Sequence, residues 1–179
     1  MYPQSRNLLI IGAGQYGLVA QEIALAMDIF DEIAFVDDSF PECHPRAGGA
    51  PATIGTTLDI AKFANEFNFG FVAIGNSDVR RRLTEQLREN GLTPATLVHP
   101  QAYVSPSARL KEGCCVEPLA AVQTDARLGT ATFVASGAVV RHNATVGEFC
   151  HVDCNAVVES SAVVPPATKV PCNSVYRRD

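Results

Sequence analysis

Two rhythms of apolar residues divide the chain. From Val98 to Val170 every sixth residue is Val or Leu without a miss: Val98, Val104, Leu110, Val116, Val122, Leu128, Val134, Val140, Val146, Val152, Val158, Val164 and Val170. Four places after each of the first twelve stands a small residue: Ala102, Ala108, Cys114, Ala120, Ala126, Thr132, Ala138, Ala144, Cys150, Ala156, Ala162 and Thr168. A helix repeats its apolar face about every 3.6 residues and an alternating strand every two, so a clean period of six belongs to neither. It is the mark of a solenoid of hexads. Each hexad predicts one short strand and a turn, and three hexads one triangular coil, so the twelve hexads predict four coils. The branched aliphatics fill the prism, and the small residues let the backbone round its corners.

Before Val98 the pattern alternates between strands and helices. Asn7–Ile11 reads as a buried strand, residues 17–27 as a helix, 33–36 as a second strand and 57–67 as a second helix. Residues 70–74 read as a third strand, a helix runs from the capping pair Ser77 and Asp78 to Asn90, and 96–98 reads as a fourth strand. Gly91 is placed to terminate that last helix. Residues 39–56, rich in Pro, Gly and Ala, read as a loop. Alternation of this kind predicts a small parallel sheet covered by helices. Two domains follow, an α/β unit over 1–98 and a β-helix over 99–179.

Composition narrows the function. A net charge of −5 argues against a nucleic-acid partner, which needs a surplus of Lys and Arg. Arg80, Arg81 and Arg82 form a local cluster that reads as a solvated helix face. No stretch approaches the roughly 18 apolar residues of a membrane span, and the N-terminus is too short for a signal peptide, so a cytoplasmic, non-membrane protein is expected. The six cysteines contain no C-x-x-C pair. Cys114 and Cys150 fall in the small slots of the hexads, and Cys150 with Cys154 makes a poor zinc signature. Structural thiols and no bound metal are expected.

Gly12-Ala13-Gly14-Gln15-Tyr16-Gly17 matches G-x-G-x-x-G between a predicted strand and a helix. Glycines there permit a tight turn and close approach of a phosphate to helix-terminal N–H groups. Asp37 and Asp38 follow at the end of the next strand, where a carboxylate can accept from ribose hydroxyls. The alternative is a plain strand-to-helix turn. NAD is the default ligand of such a fingerprint, but a domain under a hundred residues long better suits a nucleoside diphosphate, as in a nucleotide-sugar.

A truncated Rossmann-like unit followed directly by a short left-handed parallel β-helix resembles the NeuD/PglD-type sugar acetyltransferases. These include sialic-acid O-acetyltransferases and N-acetyltransferases of UDP-4-amino-sugars. The likeness is carried by Leu9 to Gly17, Phe35-Val36-Asp37-Asp38, Phe71 to Asn76, Arg80, and Leu97-Val98-His99-Pro100 with Ser105 to Ala108. Arg141-His142-Asn143 and Val146 to Val152 complete it. The resemblance implies a homotrimer with acetyl-CoA as co-substrate and no metal. It implies that Gly12, Gly14, Gln15, Tyr16, Gly17, Asp37, Asp38 and Asn76 hold the sugar nucleotide. His142 would be the catalytic base with Asn143 beside it, and His151 and Ser160 would lie near the acetyl donor.

A histidine with a pKa near 6.5 suits the base of an acyl transfer at neutral pH. Asn143 stands where the family places an acid, and an amide cannot stabilise an imidazolium by charge. The four predicted coils are also fewer than the family usually carries. An alternative therefore stands beside the enzyme: a catalytically impaired trimer that binds nucleotide-sugar or serves in assembly. An NAD-dependent oxidoreductase lacks a substrate domain here. A zinc carbonic anhydrase needs three histidine ligands, and the solenoid holds only His142 and His151.

Overall fold

The computed structural model describes residues 5–41 and 52–178, so part of the expected 39–56 loop lies outside the described residues. The chain forms two compact units, Met1–Ala95 and Thr96–Asp179.

In the first unit the chain runs β1 (Asn7–Ile11), α1 (Gln15–Met27), β2 (Glu32–Val36) and β3 (Thr53–Gly55), then a 3₁₀ turn and the short α2 (Ile60–Phe63). β4 (Phe69–Val72), α3 (Ser77–Glu89) and β5 (Thr93–Pro94) complete it. All strands are parallel, in the order β3-β2-β1-β4-β5. Leu8 to Ile11 are fully buried, as strands covered on both faces require. A core of Leu9, Ile11, Val36, Ile60, Val72, Leu83 and Leu87 joins sheet to helices.

The structure corrects four sequence expectations in this unit. Thr53–Gly55 is a strand within the expected loop. The helix expected over 57–67 is a 3₁₀ turn plus one α turn, because a reciprocal Thr56–Asp59 capping box tightens its start and Glu66 and Phe67 both donate to the Phe63 carbonyl. Leu97–Val98 is not a strand of this sheet: it pairs with Cys115–Val116 as the first rung of the β-helix. Arg80 is 0% exposed, not solvated. Its guanidinium donates to the Ile74 and Gly75 carbonyls at 2.7 and 2.9 Å, which reward burial that a helix face would not.

The second unit is a stack of two-residue strands. They begin with β6 (Leu97–Val98), β7 (Tyr103–Val104), β8 (Arg109–Leu110), β9 (Cys115–Val116), β10 (Ala121–Val122), β11 (Arg127–Leu128) and β12 (Phe133–Val134). They continue with β13 (Val139–Val140), β14 (Thr145–Val146), β15 (His151–Val152), β16 (Val157–Val158), β17 (Val163–Val164), β18 (Lys169–Val170) and β19 (Val175–Tyr176). Each pairs in parallel with the strand eighteen residues on, as Ala121 with Val139, giving three faces of five, four and five strands. The stack runs one rung past the hexad series, with Tyr176 in the place of the aliphatic.

The second residue of each strand points inward, so Val116, Val122, Val134, Val140, Val152 and Val158 are 0% exposed and pack against Ala120, Ala126, Ala138, Ala144 and Ala156. Cys114 and Cys150 share that interior, and their thiols donate to the Gly129 and Pro165 carbonyls. Burial pushes the Cys114 thiol up to about 12. The corners have one conformation. Every sixth residue from Gly113 to Asn173 has a positive φ between 50° and 73°, yet only Gly113 and Gly137 are glycines. Main-chain rungs impose this: corner N–H groups donate one coil back, as Asn143 to the Thr124 carbonyl at 2.9 Å and Phe149 to Thr130 at 2.7 Å. Among the described residues no helix is long and apolar enough to cross a membrane.

Candidate active site

The glycine loop joins β1 to α1. Gly12 has φ 105°, and a side chain there would meet Ile74 Cδ1 at 2.7 Å. A Cβ on Gly17 would lie 2.0 Å from the Gly12 carbonyl oxygen, so these two glycines are demanded by the fold. Gly14 differs: a Cβ there meets nothing within 4 Å, and its φ of −74° suits any residue. It is the N-cap of α1 and, being glycine, brings no side chain to cap it. Gln15 is exposed and Tyr16 half-buried. Gly75, in the loop after β4, is equally open. The strand order reverses at β1, so the loops after β1 and β4 flank the point where parallel sheets form a ligand crevice.

The polar residues expected at this crevice are partly committed to the protein. Asp37 Oδ2 accepts from the Ala13 N–H at 2.7 Å, and Oδ1 accepts from the Ser39 N–H and hydroxyl. Partial burial works to raise its pKa, but those bonds from Ser39 and Ala13 outweigh it and hold the carboxyl below its usual range. Asp38 is exposed and accepts from the Thr57 N–H at 2.9 Å. Asn76 caps α3, its Oδ1 accepting from the Asp78 and Val79 N–H groups. These residues therefore shape the loops first. Carboxylate lone pairs and the Asn76 amide NH₂ are what remain for a ligand.

On the β-helix, His142 and Asn143 form the corner between β13 and β14. Both are exposed. They line an open cavity of about 470 Å³ with Tyr103, Gln123 and Thr124. Asn143 is the left-handed corner residue, with φ 59°, a conformation Asn tolerates better than most. No lining residue is acidic, and His142 is the one imidazole among them. Sequence reasoning missed Tyr103, Gln123 and Thr124. The eighteen-residue coil was the signal, since Thr124 lies one coil before His142.

Ser160 lies one coil after His142, where the next corner residue, Ser161, donates its N–H to the His142 carbonyl at 3.1 Å. His151 is elsewhere. It lies on β15, on the face opposite the His142 corner. Its half-buried ring packs edge-on against Phe133 at 5.9 Å, with Nε2 4.0 Å from Asp153 Oδ1. One chain thus groups His142, Asn143 and Ser160 but does not bring His151 to them.

Outward positions on the face of β7, β10, β13, β16 and β19 are Tyr103, Ala121, Val139, Val157 and Val175, an apolar ladder on the solvent side of the prism. Tyr103 is 57% and Val175 47% exposed.

Comparison with known proteins places this architecture. Residues 7–87 match the PglD N-terminal domain. The UDP-N-acetylbacillosamine N-acetyltransferase of Bacillus subtilis is 30% identical over 108 residues, covering 60% of this chain and 50% of that protein. The chain thus spans about half the length of this curated relative. The crystal structure of PerB from Caulobacter crescentus, in complex with CoA and GDP-perosamine, superposes with a TM-score of 0.80 at 26% identity, covering 97% of this chain and 89% of that one. Residues 7–87 share the PglD N-terminal domain family, and over most of its length the chain is similar to sugar N-acetyltransferases. The acetyltransferase domain of PglB from Neisseria gonorrhoeae, in complex with acetyl coenzyme A, matches with a TM-score of 0.67 at 28% identity over 92% of this chain and 95% of that one. The three parallel faces in series fit the left-handed β-helix fold of these acetyltransferases.

Proposed function

We propose that this protein transfers the acetyl group of acetyl-CoA to the amine of a nucleotide-linked amino-sugar, with His142 as general base. The observation that carries the reading is the corner cavity, where an exposed imidazole faces solvent with Tyr103, Gln123, Thr124 and Asn143 around it. In such a transfer the sugar amine bonds to the thioester carbonyl carbon, the carbon–sulfur bond breaks, and the amine's proton passes to the imidazole. Relatives crystallised with CoA and GDP-perosamine, or with acetyl coenzyme A, support the pairing of substrates.

The α/β unit serves as a Rossmann-like cradle in this reading. The open backbone at Gly14 and Gly75 admits a diphosphate against the N-terminus of α1. Asp37 and Asp38 accept from the nucleoside, and Gln15, Tyr16 and the Asn76 amide border it. For the donor, the chain offers His151 and Ser160. They lie on different sides of one prism, so a donor that touches His151 while its thioester reaches His142 lies between two copies. The apolar ladder from Tyr103 to Val175 supports a homotrimer packed through β-helix faces.

His142→Ala is expected to lower turnover by about 10²- to 10⁴-fold, the usual share of a general base. Binding of the nucleotide-sugar, followed by calorimetry, stays unchanged. A wild-type protein that binds nucleotide-sugar but neither binds acetyl-CoA nor transfers acetyl overturns the enzyme reading, leaving a sugar-nucleotide-binding trimer.

A further inference from the structure

A second group of reactive side chains sits on another corner of the β-helix. Asp153 and Cys154 follow β15, and Cys172 follows β18. The in-register pairing of His151 with Lys169 puts Cys172 one coil beyond Cys154. One carboxylate oxygen of Asp153 and the sulfurs of Cys154 and Cys172 all lie within 4.8 Å of one another, the only such triplet of metal-ligating side chains among the described residues. Cys150, near Cys154 in sequence, is not part of it, because its thiol points into the prism toward the Pro165 carbonyl.

We propose that Asp153, Cys154 and Cys172 form a binding site for a zinc-class divalent cation. Two sulfurs and one carboxylate oxygen make a borderline-soft donor set, which selects zinc-like ions over magnesium or calcium. Zinc–sulfur bonds of about 2.3 Å in a tetrahedron place donors somewhat under 4 Å apart, so the triplet needs only a small contraction. Three protein ligands leave a fourth position for water.

The backbone fixes the donors beforehand. The Asn173 N–H donates to the Cys154 carbonyl at 3.0 Å, which locks the two coils in register beside the thiols. Asp153 is held in place as well: Oδ1 accepts from the Cys154 N–H at 2.9 Å and Oδ2 lies 3.0 Å from Lys169 Nζ. Such outer contacts orient a ligating carboxylate. Charge closes the argument. Two thiolates and a carboxylate carry three negative charges, and Lys169 with a divalent cation supplies three positive ones.

The test uses the full chain, reduced and metal-free, titrated with Zn²⁺ against a chromophoric chelator and separately with Co²⁺. One Zn²⁺ per chain is expected, with a Co²⁺–thiolate charge-transfer band and protection of Cys154 and Cys172 from a thiol reagent. Cys154→Ser and Cys172→Ser are each expected to weaken Zn²⁺ binding at least about tenfold and to cut the band to about half. Asp153→Asn keeps the band and weakens binding. Circular dichroism confirms that each variant folds, and Cys172→Ala replaces any that does not. Reduced wild type that takes up no Zn²⁺ overturns the proposal. So does uptake of equal strength in both cysteine variants, which would mark an adventitious ion.

Discussion

The two units hold their turns by opposite means. In the α/β unit the loops after β1, β2 and β4 are braced by particular side chains: Asp37 to the Ala13 N–H, Asp38 to the Thr57 N–H, and Arg80 to the Ile74 and Gly75 carbonyls. In the β-helix most corners rest on main-chain rungs that recur from coil to coil, with Asp125 donating to the Ser107 hydroxyl instead, and Leu, Asp, Ala, Asn, Phe and Ser all take the left-handed position. Where geometry comes from a named residue, that residue is constrained. Where it comes from repetition, the corner residue is free to vary, and a base such as His142 can be placed beside it without disturbing the stack.

The sharpest break of this contrast is Gly17→Ala. The added Cβ would lie 2.0 Å from a backbone oxygen that cannot swing aside, so the β1–α1 turn must open. The cost is expected at or beyond the upper end of the roughly 1–3 kcal/mol typical of overpacking. Native-state hydrogen exchange should show lost protection at Leu8 to Ile11 while Val140, Val146 and Val152 keep theirs. Equal loss in both units would mean that the β-helix depends on this turn, against the contrast drawn here.

Arg80→Met comes next. The substitution keeps an unbranched apolar stem of similar length but deprives the Ile74 and Gly75 carbonyls of their donor. Destabilisation of the α/β unit by about 1.5–3 kcal/mol is expected, the range for hydrogen bonds to a charged group. Urea unfolding read from amides of β4 measures it. An effect below a few tenths of a kcal/mol would show that the braces are dispensable.

What could be read in the sequence follows the same division. The β-helix was legible residue by residue because each hexad repeats one packing decision, and thirteen repeats average out local noise. Its corners were less so. The period showed where small residues stand, but not that their neighbours at 119, 131 and 149 adopt positive φ, since Leu, Ala and Phe give no local hint of it. In the α/β unit Asn7–Ile11 and the glycine loop were plain, whereas Thr53–Gly55 was hidden in a Pro- and Gly-rich stretch and the burial of Arg80 contradicts what a charge run suggests. The acidic pair was found, but its first task, bracing Ala13 and Thr57, is set by contacts distant in sequence. His142 and Asn143 stand as candidates through the likeness to a family, not through any pattern of their own. The cavity around them, and the pairing of Cys154 with Cys172, needed the eighteen-residue coil that three hexads make.

The smallest effect tests the β-helix side of the contrast. Leu119 is 72% exposed and holds φ 64°, so it gains little from burial and pays for a left-handed backbone. That conformation costs a non-glycine residue roughly 1–2 kcal/mol. Leu119→Gly removes the strain but adds about 0.5–1 kcal/mol of backbone entropy to be lost on folding. The balance is a stabilisation of up to about 1 kcal/mol, readable as a higher urea midpoint with an unchanged slope. The rung from the Leu119 N–H to the Gln101 carbonyl, at 3.3 Å, is retained, since glycine keeps the donor. A loss of more than about 1 kcal/mol would mean that the Leu119 side chain covers something at that corner. The corner would then depend on its residue as the loops of the α/β unit do.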